Sequence, residues 1–236
     1  LRKKEMARAN WIAGVSHDIR TPLSMVLGHA STLEEDTDLP KEARQKAGII
    51  RRQSIRMKNL INDLNLASKL EYNVQPVKRQ RTDLVALARS VAVDFLNLDN
   101  KGDYPIEWNT GEETGPLMVY GDPDLLKRAM SNLIINAQVH NPQGCTIGVE
   151  VKEEEEMYAL IVSDDGVGVT PEELSSIQKA PHYMVCDSNT GEQRHGLGLL
   201  IVRQIAQAHE GKVVLDHSPQ GGFLVKILLP KDWKEI

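Results

Sequence analysis

The chain has 236 residues, which at roughly 150 per domain makes one large domain or two modest ones, and 41% hydrophobic with 26% charged residues excludes a mostly disordered chain. Its charge is uneven: residues 1–70 carry 13 Lys/Arg and 8 Asp/Glu (13 minus 8, +5), residues 71–236 carry 15 and 25 (15 minus 25, −10), so two differently charged units are expected. Aromatic residues are only 4% and the basic ones are spread over helix faces, which leaves little for stacking single-stranded nucleic acid, and no nucleic-acid partner is expected. No apolar run reaches the roughly 18 residues that cross a bilayer and no signal peptide opens the chain, so the residues present are expected to be soluble. The start at Leu1 rather than Met predicts a piece of a longer protein. Cys145 and Cys186 share no metal-ligand spacing and cannot build a disulfide framework.

The first predicted element is a helix from Met6 to about Glu35, in which Ile12, Val15, Ile19, Leu23, Val26, Ala30 and Leu33 recur at spacings of three and four. The polar run from Glu34 to Asp38 breaks it, and Pro40 stands where a first helical turn tolerates a missing N–H. A second helix follows, with Ala43, Ala47, Ile50, Ser54, Met57, Ile61, Leu64 and Ala67 as its seam, and it reaches a linker over residues 72–81. Each helix of about 30 residues is roughly 45 Å long, and one partner helix cannot fully cover such a seam. Two hairpins in a four-helix bundle can, so a homodimer through residues 1–71 is expected over the alternative, burial of the seam against the other domain.

Within the first helix lies Ser16-His17-Asp18-Ile19-Arg20-Thr21-Pro22-Leu23. His17 is two residues from both Val15 and Ile19, about 200° round the helix from each, so it is expected to face solvent while they face the seam. Pro22 cannot donate to the carbonyl of Asp18 and its ring crowds that carbonyl, which predicts a bend one turn beyond the histidine. Thr21 shares the face of His17, and Asp18 is placed to hold or deprotonate the imidazole. A His-Asp pair alone would read as a solvated histidine beside an ordinary acid. The whole octet resembles the H-box of sensor histidine kinases, in which His is followed by Glu or Asp, Leu or Ile, Arg, Thr, Pro and Leu. The resemblance implies that His17 is the phosphoacceptor, Asp18 the acid that activates it and Thr21 the residue that positions water when the phosphorylated partner is dephosphorylated. It also implies that the hairpin is a dimerisation and phosphotransfer domain.

From residue 82 to 236 helices mix with sequential strands, which favours an α+β layered domain over a doubly wound sheet. Leu84, Leu87, Ala88, Val91, Phe95 and Leu98 form one helical face, and Asp122 to Val139 reads as another helix striped by Leu125, Leu126, Ala129, Leu133 and Ala137. Strands are expected at Thr146 to Lys152 and Tyr158 to Ser163, joined by a solvated turn at Glu153 to Glu156, and again at Lys212 to Leu215 and Phe223 to Leu229. Three motifs fall on this frame. Asn132 and Asn136 lie four apart on one helix face, oxygen ligands of the kind that suit Mg²⁺. Asp164-Asp165-Gly166-Val167-Gly168 follows a strand, where glycine lets backbone approach a ligand and the first acid can accept from an amine. His195-Gly196-Leu197-Gly198-Leu199 opens a helix, whose free N–H groups suit phosphate.

In order and spacing these motifs resemble the Asn box and the two glycine boxes of the histidine-kinase catalytic domain, in the superfamily shared with gyrase, heat-shock chaperone and mismatch-repair ATPases. The resemblance implies an α/β sandwich that binds ATP. Asn136 and Asn132 would hold Mg²⁺, Asp164 would accept from the adenine amine, and Gly166, Gly168, Gly196, Leu197 and Gly198 would wrap the nucleotide. His140 stands where the family often has Tyr near adenine, and Arg194 is placed to reach a phosphate. There are departures. Val139 replaces a basic phosphate contact, the Phe-containing lid box is missing with Tyr183 and Met184 as stand-ins, and Phe223 replaces the threonine after the last glycine. His182, His209 and His217 read as structural or solvated.

Superfamily members that hydrolyse ATP resemble one another in placing Glu four residues before the Mg²⁺-binding Asn. Here that residue is Asn132, and an amide cannot take a proton from water near neutral pH. The acceptor must come from elsewhere, and the imidazole of His17 is suited to it. The resemblance thus implies a protein-histidine kinase of a two-component system, a transferase that autophosphorylates on His17 and passes the phosphoryl group to an Asp of a response-regulator receiver domain, with phosphatase activity toward that regulator. It further implies the cytoplasmic portion of a bacterial plasma-membrane protein whose sensor region lies upstream. The alternatives are a mainly phosphatase protein weakened as a kinase by Val139, and a dimeric module that signals by shape alone.

Overall fold

A computed structural model describes residues 2–72, 76–98, 102–179 and 197–231. The chain divides into two compact units, Leu1–Pro76 and Val77–Ile236.

The first unit is a hairpin of α1 (Arg2–Glu35) and α2 (Lys41–Glu71). The turn between them is held by the Asp36 side chain, which accepts from the N–H of Asp38 at 2.9 Å. The helices run antiparallel, as two cross-pairs show: Arg20 donates to Asn62 Oδ1 at 3.1 Å, and Arg51 pairs with Glu34. Gly48 leaves room for the Glu34 carboxylate, which a Cβ there would meet. Small side chains dominate the closed seam: Ser16, Leu23 and Ala30 of α1 are buried with Ala47, Gly48, Ser54 and Ser68 of α2. Small residues let the helix axes approach closely.

This corrects the single seam expected from periodicity. Val15, Ile19, Val26, Leu33, Ile50, Met57 and Leu64 are not in it; on the hairpin they are 36–47% exposed. The apolar stripe of each helix is wide enough to carry two edges, three residues or about 60° apart. One edge (16, 23, 30) closes the hairpin and the other (19, 26, 33) stays outside.

In the second unit β1 (Gln80–Asp83) pairs antiparallel with β3 (Met118–Gly121). A five-stranded mixed sheet has the order β2-β4-β5-β7-β6, where β2 is Ile106–Trp108, β4 Ile147–Glu154, β5 Met157–Asp164, β6 Lys212–His217 and β7 Phe223–Pro230. Its helices are α3 (Leu84–Leu98), α4 (Pro123–His140), α5 (Pro171–Lys179) and α6 (Leu197–Ala208). Cross-strand register puts Val149, Val162 and Val225 in one row and Val151, Leu160 and Ile227 in the next. All six are at most 3% exposed, so this face carries the main core under the helices. The opposite face is salt-bridged, with Lys226 donating to Glu154 at 2.7 Å, over a small cluster of Ala159, Ile161 and Leu228.

The expected helices α3 and α4 and the four expected strands are present; β1, β2, β3 and α5 are additions. Gln80 and Arg81, expected in the linker, belong to β1. Strands of three or four residues carry no alternation long enough to read, and β1 finds its partner some 40 residues away. α5 did have a local sign: Thr170 and Glu173 form a reciprocal capping box, with N–H···O distances of 2.8 and 3.2 Å.

Candidate functional site

The octet on α1 is divided by its position on the helix. Ser16 and Leu23 are buried in the hairpin seam and Arg20 is tied across it to Asn62. Left on the outer surface are His17 and Asp18, whose side chains are 76% and 84% exposed, together with Thr21. His17 Nδ1 lies 3.5 Å from Asp18 Oδ1, the outer limit of a hydrogen bond and a weak restraint between two solvated groups. The reason expected for His17 facing outward needs correction, since Val15 and Ile19 do not face the hairpin interior; the buried residue beside it is Ser16. α1 continues through Pro22, which leaves the Asp18 carbonyl without its i+4 donor.

In the second unit α4 is anchored at both ends. Asp122 caps its N-terminus, accepting from the N–H groups of Asp124 and Leu125 at 3.1 and 3.2 Å, with Pro123 at the first helical position. Asp122 also accepts from the Lys78 N–H at 2.9 Å, and its own N–H donates to His209 Nε2 at 2.8 Å. His209 is 5% exposed, and its Nδ1 lies 2.7 Å from the Ile205 carbonyl. The two bonds assign a neutral ring protonated on Nδ1, and burial, foremost, pushes its pKa below the ordinary histidine value. Its role is structural.

On the exposed side of α4, Asn132 and Asn136 are half-buried one turn apart. Neither side chain hydrogen-bonds to the described residues, and the Nδ2 of Asn132 is buried without a partner. Two amides left uncommitted on one helix face fit a cation that takes few protein oxygens and keeps its waters. Among the described residues no group of three or more His, Cys, Asp or Glu could hold a metal. His140 ends the same helix, and Val139 is 59% exposed, so α4 presents no cation there.

β5 delivers Asp164 at its last residue, 7% exposed, beside the C-terminal end of α4. Oδ1 of Asp164 accepts from the Gly166 N–H at 3.0 Å, from Asn141 Nδ2 at 3.3 Å and from the Phe223 N–H at 3.3 Å. Oδ2 receives no hydrogen bond from the described residues. A buried carboxylate with one oxygen saturated and one open fits an incoming amine donor. The glycines around it make room for the protein's own atoms: a Cβ on Gly166 would run into the Asn141 amide and one on Gly222 into Asp164. Gly168 has φ +64° and lies against the Gly221 carbonyl. Cys145, free and buried, has its thiol pushed up to about 11 by burial first and then by the nearby Asp164 and Asp165.

The structure thus brings Asp164, Gly166 and Gly168 together with the end of α4, and α6, opened by Leu197 and Gly198, packs on α4. Arg194 and Gly196 lie outside the described residues, as do His182, Tyr183, Met184 and Cys186. Sequence reading missed Asn141 and the backbone N–H of Phe223; Asn at the end of a helical pattern is a C-cap signal, but nothing local aims it at a residue 23 positions on.

Comparison with known proteins assigns both units. The family described as His Kinase A (phospho-acceptor) domain matches residues 7–73, and Histidine kinase-, DNA gyrase B-, and HSP90-like ATPase matches 121–232. Sensor histidine kinase YvrG of Bacillus subtilis is 29% identical over 231 residues, 97% of this chain and 39% of that protein. Phosphate regulon sensor protein PhoR of Pseudomonas aeruginosa is 30% identical over 222 residues, 92% and 49%. The chain therefore spans less than half the length of either relative. Among solved structures, full-length ShkA in complex with AMPPNP has a similar fold, with a TM-score of 0.73 at 23% identity, covering 94% of this chain and 45% of ShkA. The Acinetobacter baumannii histidine kinase AdeS aligns with a TM-score of 0.62 at 20% identity, covering 92% of this chain and 98% of that one. No described helix is long and apolar enough to cross a membrane.

Proposed function

This chain belongs to the sensor histidine kinases of two-component systems, and on that premise we propose that it autophosphorylates on His17 with Mg-ATP held by its second unit, then passes the phosphoryl group to an Asp of a response-regulator receiver domain. The observation that carries the reading is the presentation of His17: 76% exposed, on a helix whose neighbouring Ser16, Arg20 and Leu23 are fixed in the hairpin. Asp18 holds the Nδ1 proton of the imidazole, leaving Nε2 outward with its lone pair. As the bond from Nε2 to the γ-phosphorus forms and the bond to the β–γ bridging oxygen breaks, ADP leaves and the Asp18 carboxylate stabilises the positive charge left on the Nδ1-protonated ring.

In the second unit Asp164 Oδ2 accepts from the adenine amine, His140 borders the base, and Gly166, Gly168, Leu197 and Gly198 line the nucleotide with Arg194 and Gly196. Asn136 and Asn132 hold Mg²⁺. Bound Mg-ATP supplies the transferable phosphoryl group and a cation that neutralises its charge. Because Asn132 is an amide, it cannot act as a base for water, and the group is delivered to His17 instead. Thr21 and Asp18 position water for the reverse traffic, dephosphorylation of the regulator.

A homodimer follows from the uncovered edge of the hairpin. Ile19, Val26 and Leu33 on α1 and Ile50, Met57 and Leu64 on α2 recur every seven residues and are 44–47% exposed, the pattern a second hairpin buries in a four-helix bundle. The protein is the cytoplasmic part of a membrane sensor. A second reading, a mainly phosphatase protein, is favoured by Val139, which puts an uncharged side chain where a basic phosphate contact is expected.

Incubation with γ-labelled ATP and Mg²⁺ tests the proposal. Acid-labile, alkali-stable label is expected on the parent and absent from His17→Gln and Asn136→Ala; label that survives His17→Gln overturns it. A parent that takes no label yet dephosphorylates a receiver domain supports the second reading.

A further inference from the structure

Asp164 is held by more than its own loop. Among the described residues one side chain donates to it, and that side chain, Asn141, is in none of the motifs of the nucleotide site. Asn141 is 5% exposed and caps the C-terminus of α4. Its Nδ2 donates to the Ala137 carbonyl at 2.9 Å and to Asp164 Oδ1 at 3.3 Å, while its Oδ1 accepts from the Val167 N–H at 3.0 Å. A carbonyl and a carboxylate can only accept and a backbone N–H can only donate, so the partners dictate which way the amide faces. One side chain therefore ties the last turn of the helix carrying Asn136 to the acid at the end of β5 and to the loop that follows it.

Two further observations make Asn141 specific to this arrangement. A Cβ on Gly166 would occupy the space of the Asn141 amide, so Gly166 and Asn141 are a matched pair. Phe223, at the position where the family resemblance leads to a threonine, brings Asp164 only its backbone N–H, at 3.3 Å. The hydroxyl expected there is absent, and the amide of Asn141 supplies a side-chain donor to the same oxygen.

We propose that Asn141 is a positioning residue for purine recognition, locking the Asp164 carboxylate so that Oδ2 accepts from a 6-amino group and repels a 6-oxo group. The inference rests on the reading of Asp164 as the amine acceptor. A carboxylate free to swing relieves the repulsion of a 6-oxo oxygen by turning away. One held through Oδ1 by three donors cannot. Buried polar groups left unmatched are what make such sites selective.

The test compares the affinity of the whole chain, with Mg²⁺, for ATP and for inosine triphosphate, which carries oxygen in place of the amine. Asn141→Ala is expected to lower the ATP preference by about 10–100-fold, the worth of one hydrogen bond to a charged group. A merely structural role would weaken both nucleotides together, and an unchanged preference in Asn141→Ala overturns the proposal. If Asn141→Ala does not fold, Asn141→Ser, which is too short to reach Asp164, is read in the same way. Asp164→Asn separates the two levels. If it abolishes the preference while Asn141→Ala keeps it, Asn141 is not the positioning residue and the reading of Asp164 stands. If Asp164→Asn keeps the preference, that reading itself falls.

Discussion

His17 and Asp164 are built in opposite ways. The imidazole stands on an open helix face with one contact at 3.5 Å, whereas the carboxylate is 7% exposed and receives three donors from three separate segments. In its proposed role His17 meets a nucleotide and then a partner protein, which calls for access more than rigidity. In its proposed role Asp164 selects a ligand by one hydrogen bond, which calls for an orientation fixed beforehand, because an acceptor that can turn discriminates poorly. The second unit buries Asp164 among its own segments, while the hairpin leaves His17, Asp18 and Thr21 outside its seam.

This contrast makes substitutions unequal. The largest effect is expected in the core under α4: Ile134, fully buried on that helix, should cost about 2–5 kcal/mol of the second unit's stability when changed to Ala. Chemical denaturation should show that loss, and nucleotide affinity should weaken with it; an unfolding curve that does not move would mean that α4 is not locked as described.

A smaller effect is expected at His209, which follows α6 and accepts from Asp122 at the end of α4 opposite Asp164. His209→Leu leaves the Asp122 N–H buried without its acceptor, at about 1–3 kcal/mol. Because burial lowers the folded pKa below the ordinary value of 6.5, the contribution of the neutral ring is full above pH 6.5 and is lost as pH falls through the folded pKa. Melting of the parent from pH 7.5 downward should lose stability below about pH 6.5, and the Leu variant should lack that part of the decline. A variant with the same acid limb would show that the ring already titrates normally.

The smallest effect belongs to the face that carries the proposed phosphoacceptor. Thr21 is exposed and makes no hydrogen bond to the described residues, so Thr21→Ala should leave folding within about 0.5 kcal/mol of the parent. Dephosphorylation of a receiver domain should nevertheless fall. Loss of folding stability there would show that this face is held more firmly than the geometry indicates.

Parts of this contrast were legible in the chain itself. Helical periodicity placed α1, α2, α3 and α4, and simple i, i+4 spacing put Asn132 and Asn136 on one face. The same periodicity misplaced Val15 and Ile19, because an apolar stripe reports that a side chain prefers cover without saying which neighbour covers it. Short strands such as β2, three residues paired in parallel with β4, and the aim of the distant donors Asn141 and Phe223 at Asp164 left no local trace.

What the sequence by itself determined is whatever depends on the few residues nearest in the chain: helix phase, the cap at Asp122, the glycine turns, and the order of motifs that identifies the family. Tertiary structure decided which edge of the hairpin closes and which distant residues hold Asp164, drawn from positions 141 and 223. The physical reason is that a hydrogen bond or a packed seam is a relation between two surfaces, and one strand of sequence states only what each surface could accept.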